Sequence, residues 1–419
     1  MKLFLKFIFI FFLTLMFSFS FSAVSKSVNL KIFPSEYTIQ IDGNPVVPRK
    51  VNKYLKRINL TLGEHKLLIK CDGYRDKKIN VVINKSTSEL EIKLEKAVSV
   101  LEQVAVVKTG MHPKSVEFTP DGRFFASALL EGTGVDLFST ASFKHVKRVE
   151  FPDKYRKRKN FVEILFLPER NEMWVSQMAA NAIHVVDMKD FTYKLTIPSL
   201  GIWTKIIAVT PDGKTAFASN WESHDISVID VEKYKVIKKI KVAGIPRGMV
   251  VTNDNKYLYV CIFSNGQIQK IDIQTMRIVK TMKFPHGAKR HILLDRNRNI
   301  FYVTDMYRGS VYVINASDDK VIKEIPVDKK LNTAKLSSDG RYLYVSSRGP
   351  NNPETYLKKG PVFGKVFVIN TQTFQIIDWI WGRNQPTGLD LSPDGKYMAF
   401  TNFLDDEVEV YKINLKSSK

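Results

Sequence analysis

Short apolar runs alternate with polar turns along most of this chain, and one arrangement of them recurs. In Ala208–Asp230, an apolar run, a Pro-Asp-Gly turn, a second apolar run, a polar loop and a third run follow one another. Related turns occur at six other places, and the third residues of the seven turns are separated by 48, 43, 42, 43, 42 and 55 residues. Seven units of about 42 residues, each with several short strands, predict an all-β fold, a seven-bladed β-propeller.

The ends of this array predict how the ring closes. A fourth apolar run ends the earlier units, as in Lys235–Gly244, but the last unit, Gln385–Leu415, lacks one. A matching run, Leu101–Gly110, precedes the first unit. We therefore expect strand 101–109 to pair into the last blade, which would remove the open edges of the array. The propeller is predicted to span residues 97–419.

The repeats resemble the YVTN-type, lactonase-like seven-bladed propeller family over roughly residues 101–415. The resemblance rests on Lys256–Val260, Ile300–Val303, Arg341–Val345 and Val-Ile-Asp endings such as Val228–Asp230. This family contains binding proteins, surface proteins and some enzymes. The resemblance therefore implies the fold and leaves the activity open.

A smaller domain is predicted at residues 27–96, where six short alternating or β-branched runs are separated by turns, as in a small antiparallel sandwich. It resembles the PEGA domain family at Pro34-Ser35, Ile39–Gly43, Leu62–Lys66 and Cys71–Tyr74. The Pro-Glu-Gly-Ala tetrad of that family is not present as such. The resemblance implies an exported adhesion or scaffold module without catalytic residues.

The first 25 residues contain two lysines, a Phe-rich apolar core and small residues at its end. This composition is typical of a secretory signal peptide, cleaved after Ser22 or Ser25. An uncleaved anchor is the alternative, although the apolar run is short for a membrane span. We expect the mature chain to be exported, in the periplasm or at the cell surface, with no transmembrane span.

Of the net charge of +22, all but the two lysines of the predicted signal peptide is spread over both predicted domains. Residues 26–96 contain 15 Lys and Arg against 8 Asp and Glu, and residues 97–419 contain 47 against 34. For an exported protein, this charge favours an anionic envelope polymer, a lipid surface or a protein partner, and no nucleic acid is expected in that compartment. A lysine-rich genome that raises the charge of every protein is the alternative explanation.

The two cysteines lie in apolar runs of different predicted domains. We expect Cys71 and Cys261 to be small buried hydrophobic residues, and we do not expect a disulfide between them. His65 follows a tight turn and begins a strand, and it is expected to be structural.

One position of the repeat predicts a ligand site. The residue six before the second position of each turn is Lys114, Val162, Lys205, Arg247, Arg290, Asn332 and Thr387, in blade order. Each should lie where an innermost strand begins at the central channel. Because four of the seven are cationic, their charges would add to a focused positive field. The alternative is that these long side chains only solvate the rim.

Other candidate ligand-binding residues fall in loops expected on the same face of the propeller. They are Trp203, Trp221, Tyr307, Arg348 and Arg383. Both long insertions are predicted on this face too, the basic run Pro152–Asn160 and the Pro/Gly/Asn-rich segment Arg348–Pro361. Aromatic and cationic side chains at a channel mouth suit an extended anionic or sugar-bearing ligand, or a protein partner.

Three residues further along the same strands, charges of both signs are expected in the channel. If this position faces inward, Lys335 should lie between Glu117 and Asp390, because the three belong to neighbouring blades of a closed ring. Such a group is expected to be a structural cluster rather than a catalytic one.

Recognisable catalytic motifs are missing from the sequence. It contains no Gly-x-Ser-x-Gly, no His-Glu-x-x-His and no paired Cys-x-x-Cys. A lactonase-like or metal-dependent propeller hydrolase would gather single residues from several blades, and the best candidates are Glu163, Asn220, Asp305 and Asn402. We predict a non-catalytic binding or scaffold protein, without cofactor or metal. The hydrolase, and an adhesin that acts through the PEGA-like domain, are the alternatives.

Overall fold

The computed structural model describes residues 24–415, so the predicted signal peptide lies almost entirely outside the described residues. Of these residues, 24–70 and 76–92 form one compact unit, and 71–75 and 93–415 form a second one. The predicted division lies between residues 96 and 97. Residues 71–75 belong to the second unit, where the Arg75 amide donates to the Glu95 carbonyl over 2.8 Å.

The first unit contains two four-stranded sheets. Its strands are β1 (Ser25–Phe33), β2 (Thr38–Ile41), β3 (Asn44–Val46), β4 (Arg49–Lys50), β5 (Lys56–Thr61), β6 (Gly63–Lys70), β7 (Lys77–Ile83) and β8 (Glu89–Lys93). The sheet orders are β4-β5-β1-β8 and β3-β2-β6-β7. Buried and exposed residues alternate along β5 and β6, as expected for a sheet with one packed face. The resemblance to the PEGA family stays a prediction.

His65 has the structural role expected from its position. Its Nδ1 lies 2.7 Å from Asp42 Oδ2, and its Nε2 lies 2.9 Å from the Thr61 carbonyl. Asp42 also accepts a hydrogen bond from the Lys66 amide. The imidazole, which belongs to β6, therefore links the turn at Asp42 to the end of β5.

The second unit contains seven four-stranded antiparallel sheets, the blades. The innermost strands are β10 (Pro113–Phe118), β14 (Phe161–Leu167), β18 (Thr204–Val209), β22 (Pro246–Val251), β26 (Lys289–Asp295), β30 (Leu331–Leu336) and β34 (Pro386–Leu391). The second strands are β11 (Phe124–Leu129), β15 (Glu172–Gln177), β19 (Thr215–Asn220), β23 (Tyr257–Ile262), β27 (Ile300–Asp305), β31 (Tyr342–Ser347) and β35 (Tyr397–Asn402).

The outer half of each blade consists of two further strands. The third strands are β12 (Val135–Ser139), β16 (Ala182–Asp187), β20 (Asp225–Asp230), β24 (Gln267–Asp272), β28 (Ser310–Asn315), β32 (Lys365–Asn370) and β36 (Glu407–Ile413). The outermost strands are β13 (His145–Val149), β17 (Thr192–Pro198), β21 (Lys235–Lys241), β25 (Arg277–Met282), β29 (Val321–Pro326), β33 (Ile376–Trp381) and β9 (Leu101–Lys108).

The ring is closed by β9, the first strand of this unit. It is antiparallel to β36, with Lys108 opposite Glu407 and Leu101 opposite Ile413. The innermost strands of the last and first blades, β34 and β10, also lie against each other. At their contact, a Cβ on Gly388 would come within 2.6 Å of the Ser115 Cα, so only glycine fits there. The predicted all-β, seven-bladed propeller is confirmed.

Hydrophobic clusters between neighbouring blades hold the ring together. Between the first and last blades, for example, Phe125 and Phe138 pack with Val408 and Val410. Corresponding clusters join each of the other neighbouring pairs. Burial of this apolar surface is the main favourable contribution to the stability of the ring.

The recurring Pro-Asp-Gly turn connects the first strand of a blade to the second. In the first blade, Thr119 Oγ1 donates to Asp121 Oδ1 over 2.6 Å, and the same carboxylate oxygen accepts from the Arg123 amide. The corresponding hydroxyl–carboxylate bond occurs in four other blades. We call the face with these turns the bottom face. The turns are scaffold, since their polar groups bond to one another.

The helical content of the described residues is small. It consists of a one-turn helix, α1 (Asp153–Arg156), and a 3₁₀ turn at Pro168–Arg170. Helix α1 lies in the basic insertion, on the top face, where the innermost strands begin. Within residues 24–415, no helix has the length and apolar character of a membrane span.

The two cysteines differ in their burial. Cys261 is buried in β23, as expected, but Cys71 follows β6 and is only half-buried. The prediction that Cys71 is a buried hydrophobic residue is therefore wrong. No disulfide joins the two cysteines.

Candidate functional site

The seven innermost strands share an irregularity that directs side chains into the channel. In each of them, the pairing with the second strand slips within the first four residues of the strand. A bulge of this kind re-aims the side chains around it. Lys114, Lys205, Arg247 and Arg290 all lie in such bulges, at the channel end that faces the top.

Hydroxyl groups of the second strands hold several of these bulges in place. Ser176 Oγ accepts from the Glu163 amide over 3.1 Å, and Ser219 Oγ accepts from the Ile206 amide over 3.0 Å. The same bond forms at Thr304, Ser346 and Thr401. Except for His291, these residues lie outside the regular ladder, so the hydroxyls supply the acceptor that buried backbone requires.

Five cations face one another at the top of the channel, and we call them the cation cluster. They are Lys114, Lys205, Arg247, Arg290 and Arg348. Burial lowers the pKa of Lys114, and the other four cations lower it further. Burial and Arg247 likewise lower the pKa of Lys205, of Arg290 and of Arg348, the last to about 10. The cluster is thus an enclosed group of like charges.

None of the five forms an ion pair with a carboxylate within the described residues. Two of them contact aromatic rings of the top loops instead. Lys205 Nζ lies 3.6 Å from the centre of the Trp221 ring, and Lys114 Nζ lies 4.4 Å from that of Phe403. The ring faces partly stabilise the ammonium groups, but they do not neutralise them.

Arg247 is the least satisfied member of the cluster. Its side chain is 6% exposed, and its Nε and one of its terminal nitrogens are buried without a hydrogen-bond partner. Its guanidinium lies 5.9 Å from the centre of the Trp221 ring. An unsatisfied buried charged donor is costly, and an anion that accepts its hydrogen bonds would remove that cost.

The other two arginines are held by neutral side chains. The Arg290 Nε donates to Asn332 Oδ1, and an Arg348 terminal nitrogen donates to Gln385 Oε1. The Gln385 amide in turn donates to the Tyr356 carbonyl over 2.7 Å, which ties the long insertion to the channel mouth. Neutral partners orient these guanidinium groups without pairing their charge.

A second charged layer lies lower in the channel, and we call it the Lys335 triad. Lys335 Nζ lies 2.7 Å from Glu117 Oε2 and 3.0 Å from Asp390 Oδ1, which is the expected pairing. Asp390 also accepts from the Phe118 amide. Although burial lowers the pKa of Lys335, the two carboxylates raise it above its usual range.

Glu163 and His291 lie between the two layers. With Glu117 and Lys335 they line a cavity of about 330 Å³. Burial raises the pKa of Glu163, although Arg247 and three other cations oppose this. Burial lowers the pKa of His291 to about 3, so its ring is neutral near neutral pH.

The remaining predicted site residues lie outside the cation cluster. Trp203 and Tyr307 are exposed on top loops. The Arg383 Nε lies 3.7 Å from Glu407 Oε1 and 3.8 Å from Asp405 Oδ1. The charge of Arg383 is therefore balanced inside the chain.

Three of the four candidate catalytic residues belong to closed polar groups. Asn220 bonds to Asp225 and Ser227, Asn402 bonds to Glu407 and Glu409, and Asp305 forms a fully buried ion pair with Lys289. Of the four, only Glu163 reaches the channel. Among residues 24–415, no group of three or more potential metal ligands was found.

The sequence pattern did not indicate the neutral residues of the site. Asn332 occupies the recurring inner-strand position, but because it is uncharged the sequence pattern did not mark it as a site residue. Gln385 and Tyr356 are brought to the mouth by the long insertion, whose path has no repeat to predict it. The hydrogen bonds of Arg290 to Asn332 and of Arg348 to Gln385 join residues of different blades, so only the three-dimensional structure shows them.

Comparisons with known proteins agree with this architecture. The family model of the seven-bladed lactonase propellers matches residues 250–419, and that of the YncE-like propellers matches residues 76–257. A chain of the hydrazine synthase of Kuenenia stuttgartiensis has a similar fold, with a TM-score of 0.63 and 19% identity. The similarity covers 74% of this chain and 98% of that one. The protein is therefore a β-propeller whose two halves are similar to the lactonase-like and YncE-like propellers.

Two curated relatives are similar in sequence. Antigen Lp49 of Leptospira interrogans is 38% identical over 401 residues, which cover 92% of this chain and 88% of the relative. YncE of Salmonella typhimurium is 24% identical over 188 residues, covering 44% of this chain and 53% of the relative. The chain belongs to the family of antigen Lp49.

Proposed function

We propose that this protein is an exported, non-catalytic binding protein whose cation cluster holds an anionic ligand. The observation that supports it best is Arg247, a buried guanidinium with two unbonded nitrogens among four other cations. A like-charged cluster of this kind is unfavourable unless an anion compensates it. The cluster lies at the top end of the channel, where the innermost strands begin.

The ligand belongs to an anionic envelope polymer, a lipid surface or a protein partner. Export to the periplasm or the cell surface is supported by the composition of the first 25 residues and by the antigen relative. Protease treatment of intact cells and of spheroplasts would test this location. Protection of the protein in both preparations would contradict export.

Calorimetric titration with inorganic pyrophosphate tests the anion site. We expect saturable binding to one site per chain, weakened roughly tenfold to a hundredfold in Arg247→Gln. A hydrogen bond to a charged group contributes about 1.5–3 kcal/mol, which corresponds to that factor. Glutamine keeps a polar side chain and removes the charge.

Lys329→Gln is the matched control, because Lys329 is exposed in a top loop and belongs to neither charged layer. It should bind pyrophosphate as the wild type does. Equal affinity in the wild type and in the quadruple Ala variant of Lys114, Lys205, Arg247 and Arg290 would contradict the proposal. If that variant also kept its binding to envelope extract, an adhesin acting through the first unit would be favoured.

A lactonase-like hydrolase is the second candidate, favoured by the lactonase family match and by Glu163 in the channel. In that case Glu163 would act as a general acid or base, for which a raised pKa is suitable. A panel of lactones tests this activity. If the wild type hydrolyses a lactone and Glu163→Gln does not, the protein is a hydrolase and the binding proposal is wrong.

A further inference from the structure

Exposed hydrophobic side chains are distributed unevenly between the two faces of the propeller. Loops of the top face carry seven large exposed ones: Met111, Leu200, Ile202, Trp203, Tyr307, Tyr356 and Leu357. The described hairpin loops of the bottom face, which join first to second strands and third to fourth strands, carry none, whereas Val98, 85% exposed, lies in the segment before β9. The exposed fractions are substantial, reaching 63% for Leu200 and 61% for Tyr307.

These side chains are spread around the ring and do not form one patch. Met111 precedes the first blade, Leu200–Trp203 precede the third, Tyr307 lies in the fifth, and Tyr356 lies in the sixth. Tyr356 reaches the mouth itself, since Arg348 lies 5.8 Å from the centre of its ring. We call the seven residues the apolar rim. The top face thus combines an apolar rim with a cationic centre.

The three arginines at that centre are recessed. Arg247, Arg290 and Arg348 are each only 6% or 7% exposed, although two of them keep unbonded buried nitrogens. A flat anionic surface would meet the rim and the exposed lysines before it reached them. A narrow projecting group could enter the mouth and bond to the guanidinium nitrogens directly.

We propose that the top face docks a protein segment that places acidic side chains in the cation cluster and apolar side chains on the rim. This inference rests on the proposed function and names its partner class. Charge complementarity supports the acidic centre, because none of the five cations forms an ion pair with a carboxylate in the described chain and Glu163 is the one acidic neighbour of Arg247 and Arg290 that raises their pKa. The rim supplies aromatic and aliphatic anchors of the kind that dominate protein interfaces.

The same observations favour a protein over a lipid surface. Carboxylates on a polypeptide loop project from their backbone, and a loop presents apolar residues beside them. Lipid headgroups lie in a plane, and the basic insertion with α1 offers them more accessible charge than the recessed arginines do. Vesicle binding is therefore the alternative outcome of the test.

The test uses the full chain and short synthetic peptides in which clustered glutamates are flanked by Leu, Phe or Tyr at varied spacing. Fluorescence anisotropy should show binding that is lost when Gln replaces Glu in the peptide. Arg247→Gln should weaken it about tenfold or more, and the double variant Trp203→Ser, Tyr307→Ser about fivefold or more. Ile237→Ser is the matched control, because Ile237 is equally exposed but lies on an outermost strand.

Each other outcome would overturn the inference. If the substitutions in the apolar rim leave the affinity for the peptides unchanged, the site is only an anion site. The proposed function would still hold in that case. Binding to phosphatidylglycerol vesicles, but to none of the peptides, would assign the top face to a lipid surface. Failure of the peptides with retained pyrophosphate binding would refute only the partner class, whereas failure of both would refute the proposed function as well.

Discussion

Apart from Arg348, the residues of the two charged layers lie on innermost strands, at repeat positions three residues apart, but only the lower layer has its cation paired. In the Lys335 triad, one ammonium lies within 3.0 Å of two carboxylates, so the charge of Lys335 is paired inside the chain. In the cation cluster, five positive charges contact aromatic rings and neutral amides. A buried charge is stable when it is paired and costly when it is not. The lower layer is therefore structural, and the upper layer is suited to a charge from outside.

The largest expected effect is on stability, in the lower layer. Lys335→Met leaves Glu117 and Asp390 enclosed without their cation. Removal of one partner from such a group should lower the free energy of unfolding by roughly 3 kcal/mol. Urea denaturation followed by fluorescence measures this change, and Lys329→Met is the control. A loss no larger than that of the control would show that the triad is not structural.

In the upper layer, a bound anion should stabilise the protein. At a pyrophosphate concentration of about 100 times Kd, the wild type should be stabilised by about 2.7 kcal/mol. Arg247→Gln should show little of this stabilisation at the same concentration. Differential scanning calorimetry measures it at constant ionic strength. Equal stabilisation of both proteins would mean that the anion binds elsewhere.

Removal of a cation from the upper layer should raise the free energy of unfolding, whereas removal of one from the lower layer should reduce it. Without ligand, Lys114→Met relieves repulsion from the other four cations and keeps the contact of the side chain with Phe403. We expect the free energy of unfolding to rise by about 0.5–1 kcal/mol. Thermal melts at low salt would detect this shift. If Lys114→Met instead reduced the free energy of unfolding as much as Lys335→Met, the two layers would not differ in how well their charges are paired.

The smallest effect is the pH dependence of anion binding, and it concerns Glu163 between the layers. Burial raises its pKa against the opposition of Arg247, Lys335, Arg290 and Lys114. Below that raised pKa the carboxyl is neutral, and above it the carboxylate competes with a bound anion. Affinity should therefore fall as the pH rises through the pKa of Glu163.

In Glu163→Gln, the affinity should no longer fall as the pH rises through this range, and binding at neutral pH should be stronger than in the wild type. Sulfate is a suitable probe, because its charge does not change over this range. A second decline at alkaline pH should persist in the variant, since the lowered pKa values of Lys114 and Lys205 make them lose charge early. A decline of the same size in wild type and Glu163→Gln would exclude the carboxylate as its cause.

The fold and part of the site could be predicted because the repeat carries them. Regular spacing of the turns gave the number of blades, and the apolar run at Leu101–Gly110 gave the closure of the ring. The repeat also placed Lys114, Lys205, Arg247 and Arg290 at equivalent positions. It placed Arg383 on the top face as well, but the sequence could not show that Asp405 and Glu407 lie beside it.

The sequence by itself determined the periodic properties of this protein: seven blades, bottom turns and a recurring inner-strand position with an excess of cations. These are local features, fixed by hydrogen bonding within a turn and by the alternation of side chains along a strand. The tertiary structure alone decided which charges have partners, because that depends on distances between residues in different blades. Only the assembled ring shows that Lys335 is neutralised while Arg247 is not.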